Sequence, residues 1–243
     1  MNDVVQSLSS VKEKIHQAAI RSGRTGQDVR FILVSKTVAA SRVQEAIDAG
    51  QVYLGENKVQ EGLRKSQELS GAPVQWSMIG HLQSNKVKDV LNFASEVQSL
   101  DRLSLATALE KRLQVLGRSL DVLVQVNTSH EPSKFGLHPD DVANFLKEMK
   151  SFDAIRLKGF MTLATFTPDE TEVRRCFRVL KNIRDRALND APQGDVLKGL
   201  SMGMSGDYEW AIEEGATIVR VGQAVFGARA LPNSHYWPGA SGT

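Results

Sequence analysis

Short apolar runs alternate with amphipathic stretches along nearly the whole chain. The apolar runs are typical of buried β-strands, and the stretches between them repeat apolar residues at helical spacing. The predicted strands are 30–36, 52–55, 74–80, 95–100, 120–127, 156–163, 197–203 and 216–222. The predicted helices are 41–49, 57–69, 84–93, 102–116, 139–150, 168–189 and 207–214. Strands separated by helices in this way predict a parallel sheet.

Residues at the ends of the predicted helices support these boundaries. The predicted helix starts are Ser41, Asn57, Ser84 and Asp207. The predicted helix ends are Gly50 and Gly215. Asn57 is followed three residues later by Gln60, which is the spacing of a capping box. We therefore interpret Asn57 first as a helix cap. Because that cap would face the end of the sheet where the strands finish, Asn57 is also a candidate ligand contact.

The number of repeating units favours a closed barrel. Eight βα units in about 250 residues are the usual content of a (β/α)8 TIM barrel, which we expect to form a single domain over 1–243. An open, doubly wound sheet has the same alternation, and periodicity does not distinguish the two. The apolar spacing near the amino terminus adds a helix within residues 1–22. Residues 231–243, with two prolines and small polar residues, predict a flexible tail.

Composition narrows the class of partner. Thirty basic and 28 acidic residues leave a net charge of only +2, which does not indicate a nucleic-acid or membrane-binding surface. A small-molecule ligand is favoured instead. No run approaches the roughly 18 apolar residues of a membrane span. The single cysteine, Cys176, cannot form an internal disulfide, so we expect a cytoplasmic protein. We expect Cys176 to be a packed residue of a helix.

Two cations fall near the ends of neighbouring strands of the predicted barrel. Lys36 closes predicted strand 1, and Arg220 lies two residues before the end of predicted strand 8. Barrel closure makes these strands neighbours, and two partly buried cations at one place call for an anion. Each residue also has a simpler interpretation. Lys36 could extend its amine into solvent, and Arg220 could pair with an acidic residue on an adjacent strand.

Two glycine-containing turns offer a place for that anion. The segment 201–210 contains Gly203, Ser205 and Gly206, and 221–227 leads into a short helix. These loops follow strands 7 and 8, which commonly form the phosphate site of such barrels. Partial burial beside a second cation favours the neutral amine of a lysine, which attacks aldehydes. A phosphate site, a reactive lysine and a separate arginine together favour pyridoxal phosphate.

Other polar residues are assigned no chemistry. The histidines show no metal-ligand spacing and predict no metal site: His16, His81, His130, His138 and His235. His81 ends predicted strand 3, where local hydrogen bonding explains it. Lys134, in the loop 130–137, is interpreted as an exposed loop lysine.

Seven segments together resemble the pyridoxal phosphate homeostasis protein family. They are VSKT (34–37), GENKVQE (55–61), IGHLQSNK (79–86), SKFG (133–136), GFMTLA (159–164), LSMGMSGD (200–207) and VRVGQAVFGAR (219–229). The resemblance implies a barrel of the alanine-racemase N-terminal-domain type, which is fold type III of pyridoxal phosphate proteins. It also implies a Schiff base on Lys36, phosphate contacts from Ser205 and the backbone of Gly222 and Gln223, and Arg220 facing the pyridine nitrogen.

The same resemblance implies a function in vitamin B6 homeostasis without established catalytic turnover. We accordingly expect a monomeric carrier that could serve pyridoxal phosphate-dependent apo-enzymes. A weak racemase, a Schiff-base aldolase and a partner-binding scaffold remain alternatives. Alanine racemases are similar but have a longer chain, in which a second domain supplies a tyrosine as the opposite base. None of Tyr53, Tyr208 and Tyr236 lies in such a sequence context here. Position 58, often tyrosine in bacterial relatives, is Lys58, and its contacts stay unassigned.

Overall fold

Eight parallel strands form a closed barrel in the computed structural model, which describes residues 3–190 and 197–228. The strands are β1 (Arg30–Val34), β2 (Tyr53–Glu56), β3 (Gln75–Met78), β4 (Ala94–Leu100), β5 (Leu120–Gln125), β6 (Ile155–Met161), β7 (Gly199–Ser201) and β8 (Ile218–Val221). Each strand pairs with the next in sequence, and β8 pairs with β1 to close the ring. The predicted (β/α)8 barrel is confirmed, and the open sheet is wrong.

Helices surround the barrel. They are α1 (Val4–Arg21), α2 (Ala40–Asp48), α3 (Val59–Glu68), α4 (Val87–Val90), α5 (Leu103–Leu116), α6 (Val142–Met149), α7 (Glu170–Asn189), α8 (Tyr208–Glu213) and α9 (Gln223–Phe226). Short 3-10 turns lie at Gly26–Asp28, Ser84–Lys86 and Pro139–Asp141. None of the helices in the described ranges is long and apolar enough to cross a membrane. The predicted tail at 231–243 lies outside these ranges.

The extra amino-terminal helix packs against the carboxyl-terminal part of the barrel. Asp3 caps α1 by accepting hydrogen bonds from the backbone N–H groups of Val5 and Gln6. The apolar stripe of α1, which includes Leu8 and Ile15, is buried against α2, α8 and α9.

The apolar core has two layers. The larger layer lies between the strands and the surrounding helices and includes buried Cys176 of α7, as expected. The smaller layer, inside the barrel, contains Ile32, Leu123, Met161 and Ile218. Because residues on both faces of a strand are buried, the strands read as nearly continuous apolar runs.

Three predicted helix starts differ from the structure. Helix α2 begins at Ala40 and is preceded by Ala39, so Ser41 is not its cap. Helix α3 begins at Val59 after Lys58, so the predicted capping box at Asn57 is wrong. The Asn57 backbone instead packs so closely on Gly80 that a Cβ there would lie 2.2 Å from the Asn57 oxygen. Ser84 opens a 3-10 turn, and α4 ends at Val90, shortly before β4 begins at Ala94.

Candidate functional site

The predicted site residues lie at one end of the barrel. Strand β1 ends at Val34 rather than at Lys36, and Lys36 lies half-buried in the following turn. Asn57 follows β2, Ser205 lies in the turn after β7, and Gly222 and Gln223 follow β8. All five are therefore at the carboxyl ends of the strands, where barrels of this type bind ligands.

Arg220 lies inside the barrel on β8, opposite Ile32 of β1, and is buried. Its Nη1 donates to Ser201 Oγ at 2.6 Å, and its Nη2 donates to the carbonyl oxygen of Thr162 at 2.8 Å. Burial lowers the pKa of Arg220 to about 10, so the guanidinium is still charged at neutral pH. Among the described residues it forms no ion pair, so the predicted internal pair on a neighbouring strand is absent.

A chain of hydrogen bonds continues from Arg220 across the barrel interior. Ser201 Oγ donates to Gln98 Oε1 at 2.6 Å, and Gln98 Nε2 donates to Glu96 Oε1. At the other end, Arg30 Nη2 donates to Glu96 Oε2 at 2.5 Å. In this chain Arg220, Ser201 and Gln98 each donate to the next residue, and the last acceptor is the Glu96 carboxylate. This order of donors and acceptors fixes the direction of the Arg220 guanidinium.

Sequence reasoning missed Gln98, Ser201 and Glu96. A signal was present, because polar residues interrupt the predicted strands 95–100 and 197–203 at positions that face the barrel interior. Residues of this type inside an apolar core need hydrogen-bond partners, which here are one another.

The turns after β7 and β8 meet through Ser205 and Gly222. Ser205 Oγ accepts from the backbone N–H of Gly222 at 3.4 Å and from that of Ala224 at 3.3 Å. A Cβ on Gly222 would lie 2.6 Å from the carbonyl oxygen of Val34. The absence of a side chain therefore lets the β8 turn pack directly against the end of β1, beside the Lys36 turn.

A recess lies next to these turns, between α1 and the start of α8. Its volume is about 370 Å³. Ser205 and Ala224 line it on one side, and Ser7, Ser10 and Lys14 of α1 line it on the other. Lys36 and Arg220 do not line it, so this recess adjoins only the turn side of the candidate site.

The Lys36 turn is attached to α3 by a buried polar cluster. Lys65 of α3 donates to the Ser35 carbonyl oxygen, to Glu56 Oε1 at 2.8 Å and to Glu61 Oε1 at 2.7 Å. Glu61 Oε1 also accepts from the Thr37 backbone N–H at 2.6 Å. Burial raises the pKa of Glu56, even though Lys65 opposes the shift.

Lys134 differs from its predicted role, whereas His81 has a local partner. The His81 ring stacks on Phe135 at 3.7 Å, and its Nδ1 lies 3.5 Å from Asp101 Oδ2, so the predicted local contact is present but long. Burial lowers the pKa of His81. Lys134 Nζ donates to Glu131 and, at 2.7 Å, to the Ala164 carbonyl oxygen. It therefore joins the loops after β5 and β6 instead of extending into solvent.

Two further features that bear on the candidate site are metal-ligating groups and Lys58. No group of three or more potential metal-ligating side chains occurs in the part of the chain that the structure describes. Lys58 is exposed and precedes α3 without capping it through its side chain.

Comparison with known proteins places the chain among pyridoxal phosphate proteins. Residues 7–230 match the family model for the alanine racemase N-terminal domain. The chain is 38% identical to the pyridoxal phosphate homeostasis protein of Escherichia coli over 94% of its own length and 98% of the relative. The structure of PipY from Synechococcus elongatus with pyridoxal phosphate bound matches with a TM-score of 0.81 and 32% identity, covering 93% of this chain and 100% of PipY.

An alanine racemase of Clostridium difficile shares the fold at 17% identity and a TM-score of 0.70. That match covers 94% of this chain but 56% of the racemase. By its extended similarity to the homeostasis proteins over nearly the full length of both chains, the protein belongs to the pyridoxal phosphate homeostasis protein family.

Proposed function

We propose that this protein binds pyridoxal phosphate covalently through Lys36 and takes part in pyridoxal phosphate homeostasis without catalytic turnover. The observation that carries the proposal is the close packing of Gly222 on Val34. It sets a turn rich in backbone N–H groups beside the turn that contains Lys36, and Arg220 lies on the strand that leads into it.

The residues fit the chemical groups of this cofactor. The hydroxyl of Ser205 and the backbone N–H groups of Gly222 and Gln223 would hold the phosphate, because N–H groups at such turns favour anions. Ser205 Oγ already bridges the N–H groups of Gly222 and Ala224. Asn57 follows β2, which pairs with β1 on the side away from β8, and would contact the ligand from there.

When bound, pyridoxal phosphate supplies an aldehyde that condenses with a lysine amine and releases one water. Arg220 would face the ring nitrogen. A charged guanidinium disfavours protonation of a neighbouring pyridine nitrogen, which weakens the ring as an electron sink. This arrangement supports storage or delivery of the cofactor over carbanion chemistry.

The tyrosines in the described ranges give no support to a two-base racemase. Tyr53 begins β2, at the end of the barrel opposite the candidate site, where Arg30 lies over its ring. Burial raises the pKa of Tyr208 to about 12, which makes its phenolate hard to form at neutral pH. Tyr236 lies outside the described residues.

The proposal predicts the outcome of replacing Lys36. Protein purified without added vitamin should absorb in the visible region, and borohydride reduction should leave a pyridoxyl adduct on Lys36 by peptide mass spectrometry. Lys36→Ala should lose both signals and keep its circular dichroism spectrum, because Lys36 lies in a half-buried turn outside the packed strands. The matched control is Lys58→Ala, which removes an exposed lysine at the same end of the barrel.

Three results would contradict the proposal. An adduct on another lysine would move the attachment site. Colourless protein that traps a ketose phosphate with borohydride would favour the aldolase. Racemisation of amino acids at enzyme-like rates would favour the racemase. A cytoplasmic location, a monomeric state and delivery to apo-enzymes stay predictions.

A further inference from the structure

We propose that Glu61 and Lys65 of α3 are positioning residues that hold the Lys36 turn in the conformation needed for covalent attachment of the cofactor. This inference rests on the proposed function, because it assumes that Lys36 is the point of attachment. Neither residue is expected to contact the cofactor. Both act on the backbone that carries Lys36.

Lys65 is the largest fully buried side chain of the cluster. Its exposed fraction is 0%, as is that of Glu56, with which it pairs. A buried ammonium needs an acceptor for each of its three N–H groups, and Lys65 has three, on Ser35, Glu56 and Glu61. One of these acceptors is the carbonyl oxygen of Ser35, the residue that immediately precedes Lys36. The ammonium therefore attaches the Lys36 turn to both β2 and α3.

Glu61 secures the other side of the same turn. Its Oε1 accepts from the backbone N–H of Thr37, which immediately follows Lys36. Thr37 has a φ of 65°, in the left-handed region that a β-branched residue rarely adopts. Such a conformation persists only where the surrounding contacts hold it. The contacts to Ser35 and Thr37 supply that restraint on both sides of Lys36.

The Ser35 side chain completes the cluster. Its Oγ donates to Glu56 Oε1 at 2.7 Å. The residues on both sides of Lys36 are thus bound to α3 or to the end of β2. Fixing the backbone of a reactive residue reduces the conformational freedom that is lost when it bonds to a ligand.

The same contacts explain why Lys65 would not compete for the aldehyde. Lys65 lies in the same cluster as the Lys36 turn, but it is inaccessible to a ligand and all three of its N–H groups are engaged. An amine attacks a carbonyl only through a free electron pair, which an ammonium with three acceptors does not offer. The cluster therefore separates a structural lysine from the reactive one.

Glu61 gives the sharpest test because it is partly exposed and can be changed with less risk to folding than Lys65. Glu61→Ala removes the acceptor for Thr37 and should weaken covalent binding of pyridoxal phosphate by about tenfold in an absorbance titration. Glu61→Gln keeps an oxygen at the same distance and should stay within about threefold of the unmodified protein. Glu68→Ala, on the same helix, removes an exposed carboxylate paired with Arg64 and should bind normally.

A second readout needs no cofactor. Exchange of the Thr37 amide hydrogen, followed by NMR on the apo-protein, should be about tenfold faster in Glu61→Ala and unchanged in Glu68→Ala. If Glu61→Ala fails to fold, Glu61→Asp serves instead. It keeps the charge but shortens the side chain, and it should fall between the alanine and glutamine variants in both measurements.

The outcomes distinguish this inference from the proposed function. If the unmodified protein forms no adduct on Lys36, the proposed function fails, while Thr37 exchange still reports whether Glu61 holds the turn. If the adduct forms and Glu61→Ala binds and exchanges like the unmodified protein, the positioning role is overturned. An equal loss in Glu61→Gln, or in Glu68→Ala, would overturn it as well.

Discussion

Gly222 is a residue at which the proposed phosphate turn meets the end of β1. Its backbone dihedrals do not require glycine, since its φ is −130°. The requirement is steric. An added Cβ would lie 2.6 Å from the Val34 carbonyl oxygen and 3.1 Å from the Val34 Cβ, and backbone atoms cannot yield as a flexible side chain can.

Gly222→Ala should therefore lower the free energy of unfolding by about 1–3 kcal/mol and weaken pyridoxal phosphate binding, because β8 must move away from β1. Urea denaturation and absorbance titration measure the two effects. Gly206→Ala is the stability control, since an added Cβ there meets no atom within 4 Å. Equal stability of the two variants would show that the contact at Gly222 relaxes without cost.

The site residues that the sequence identified share one property. Lys36 and Arg220 stand out because each is a cation within or beside an apolar run. Lys65 could not be found in this way, because a lysine in an amphipathic helix is ordinarily on the solvated face. Only the packing of α3 on the end of β2 shows that Lys65 points inward.

Among the elements, the interior of the barrel is held by polar contacts as well as apolar ones. The chain from Arg220 through Ser201 and Gln98 to Glu96 links β8, β7 and β4. Each buried member bonds to its neighbour, so removing the central one takes the acceptor from the Ser201 hydroxyl and one donor from Glu96. Gln98 is that central member, and it is 0% exposed.

Gln98→Leu should destabilise the protein by about 1–3 kcal/mol and shift the visible absorbance of the bound cofactor, because Ser201 would no longer hold Arg220 in its present direction. Chemical denaturation and the absorbance spectrum report the two effects separately. Gln44→Leu is the control, since Gln44 pairs with Asp48 on the exposed surface of α2. A destabilised variant with an unchanged spectrum would mean that the chain supports the fold but does not orient Arg220.

Element order followed from the alternating pattern, whereas element ends did not. The predicted strand 197–203 extends past β7, which is Gly199–Ser201, although Met202 and Gly203 are buried and each still forms a backbone hydrogen bond to β8. Burial produces the apolar signal, but a strand ends where the regular strand conformation and pairing stop. For the same reason the sequence predicted Lys36 at the end of a strand, whereas it lies in the turn after β1.

For the molecule as a whole, barrel closure was beyond what periodicity could show. Closure requires β8 to pair with β1, and these strands are separated by most of the chain. The family resemblance, which depends on specific motifs in order, indicated the barrel where periodicity alone left an open sheet possible. The amphipathic pattern predicted α1 itself but not the helices against which it packs.

An ion-pair network attaches α1 to the carboxyl-terminal helices. Arg174 of α7 contacts Glu213 at 2.5 Å and Glu214 at 3.2 Å, and Arg21 of α1 contacts the same Glu213 at 2.8 Å. Burial by itself would raise the pKa of Glu213, but hydrogen bonds from Arg174 and Arg21 outweigh it and hold that pKa below its usual value. One carboxylate therefore joins three helices that are far apart in the sequence.

Arg174→Gln should lower the free energy of unfolding at pH 7 by about 1–2 kcal/mol, because the side chain is only 18% exposed and its partners lose a charged donor. The Glu213 contribution to stability is present above the ordinary glutamate pKa of 4.5 and is lost as pH falls through the lower folded pKa. The difference between the variant and the unmodified protein should accordingly shrink below about pH 4.5.

Urea denaturation across that pH range measures the difference. Arg64→Gln is the control, because its pair with Glu68 lies within one helix and both side chains are largely exposed, so a change of no more than about 0.5 kcal/mol is expected. A loss in Arg174→Gln that persists unchanged at low pH would assign the effect to packing of the arginine stem. A loss that disappears at low pH would instead assign the effect to charge pairing between α7 and the end of α8.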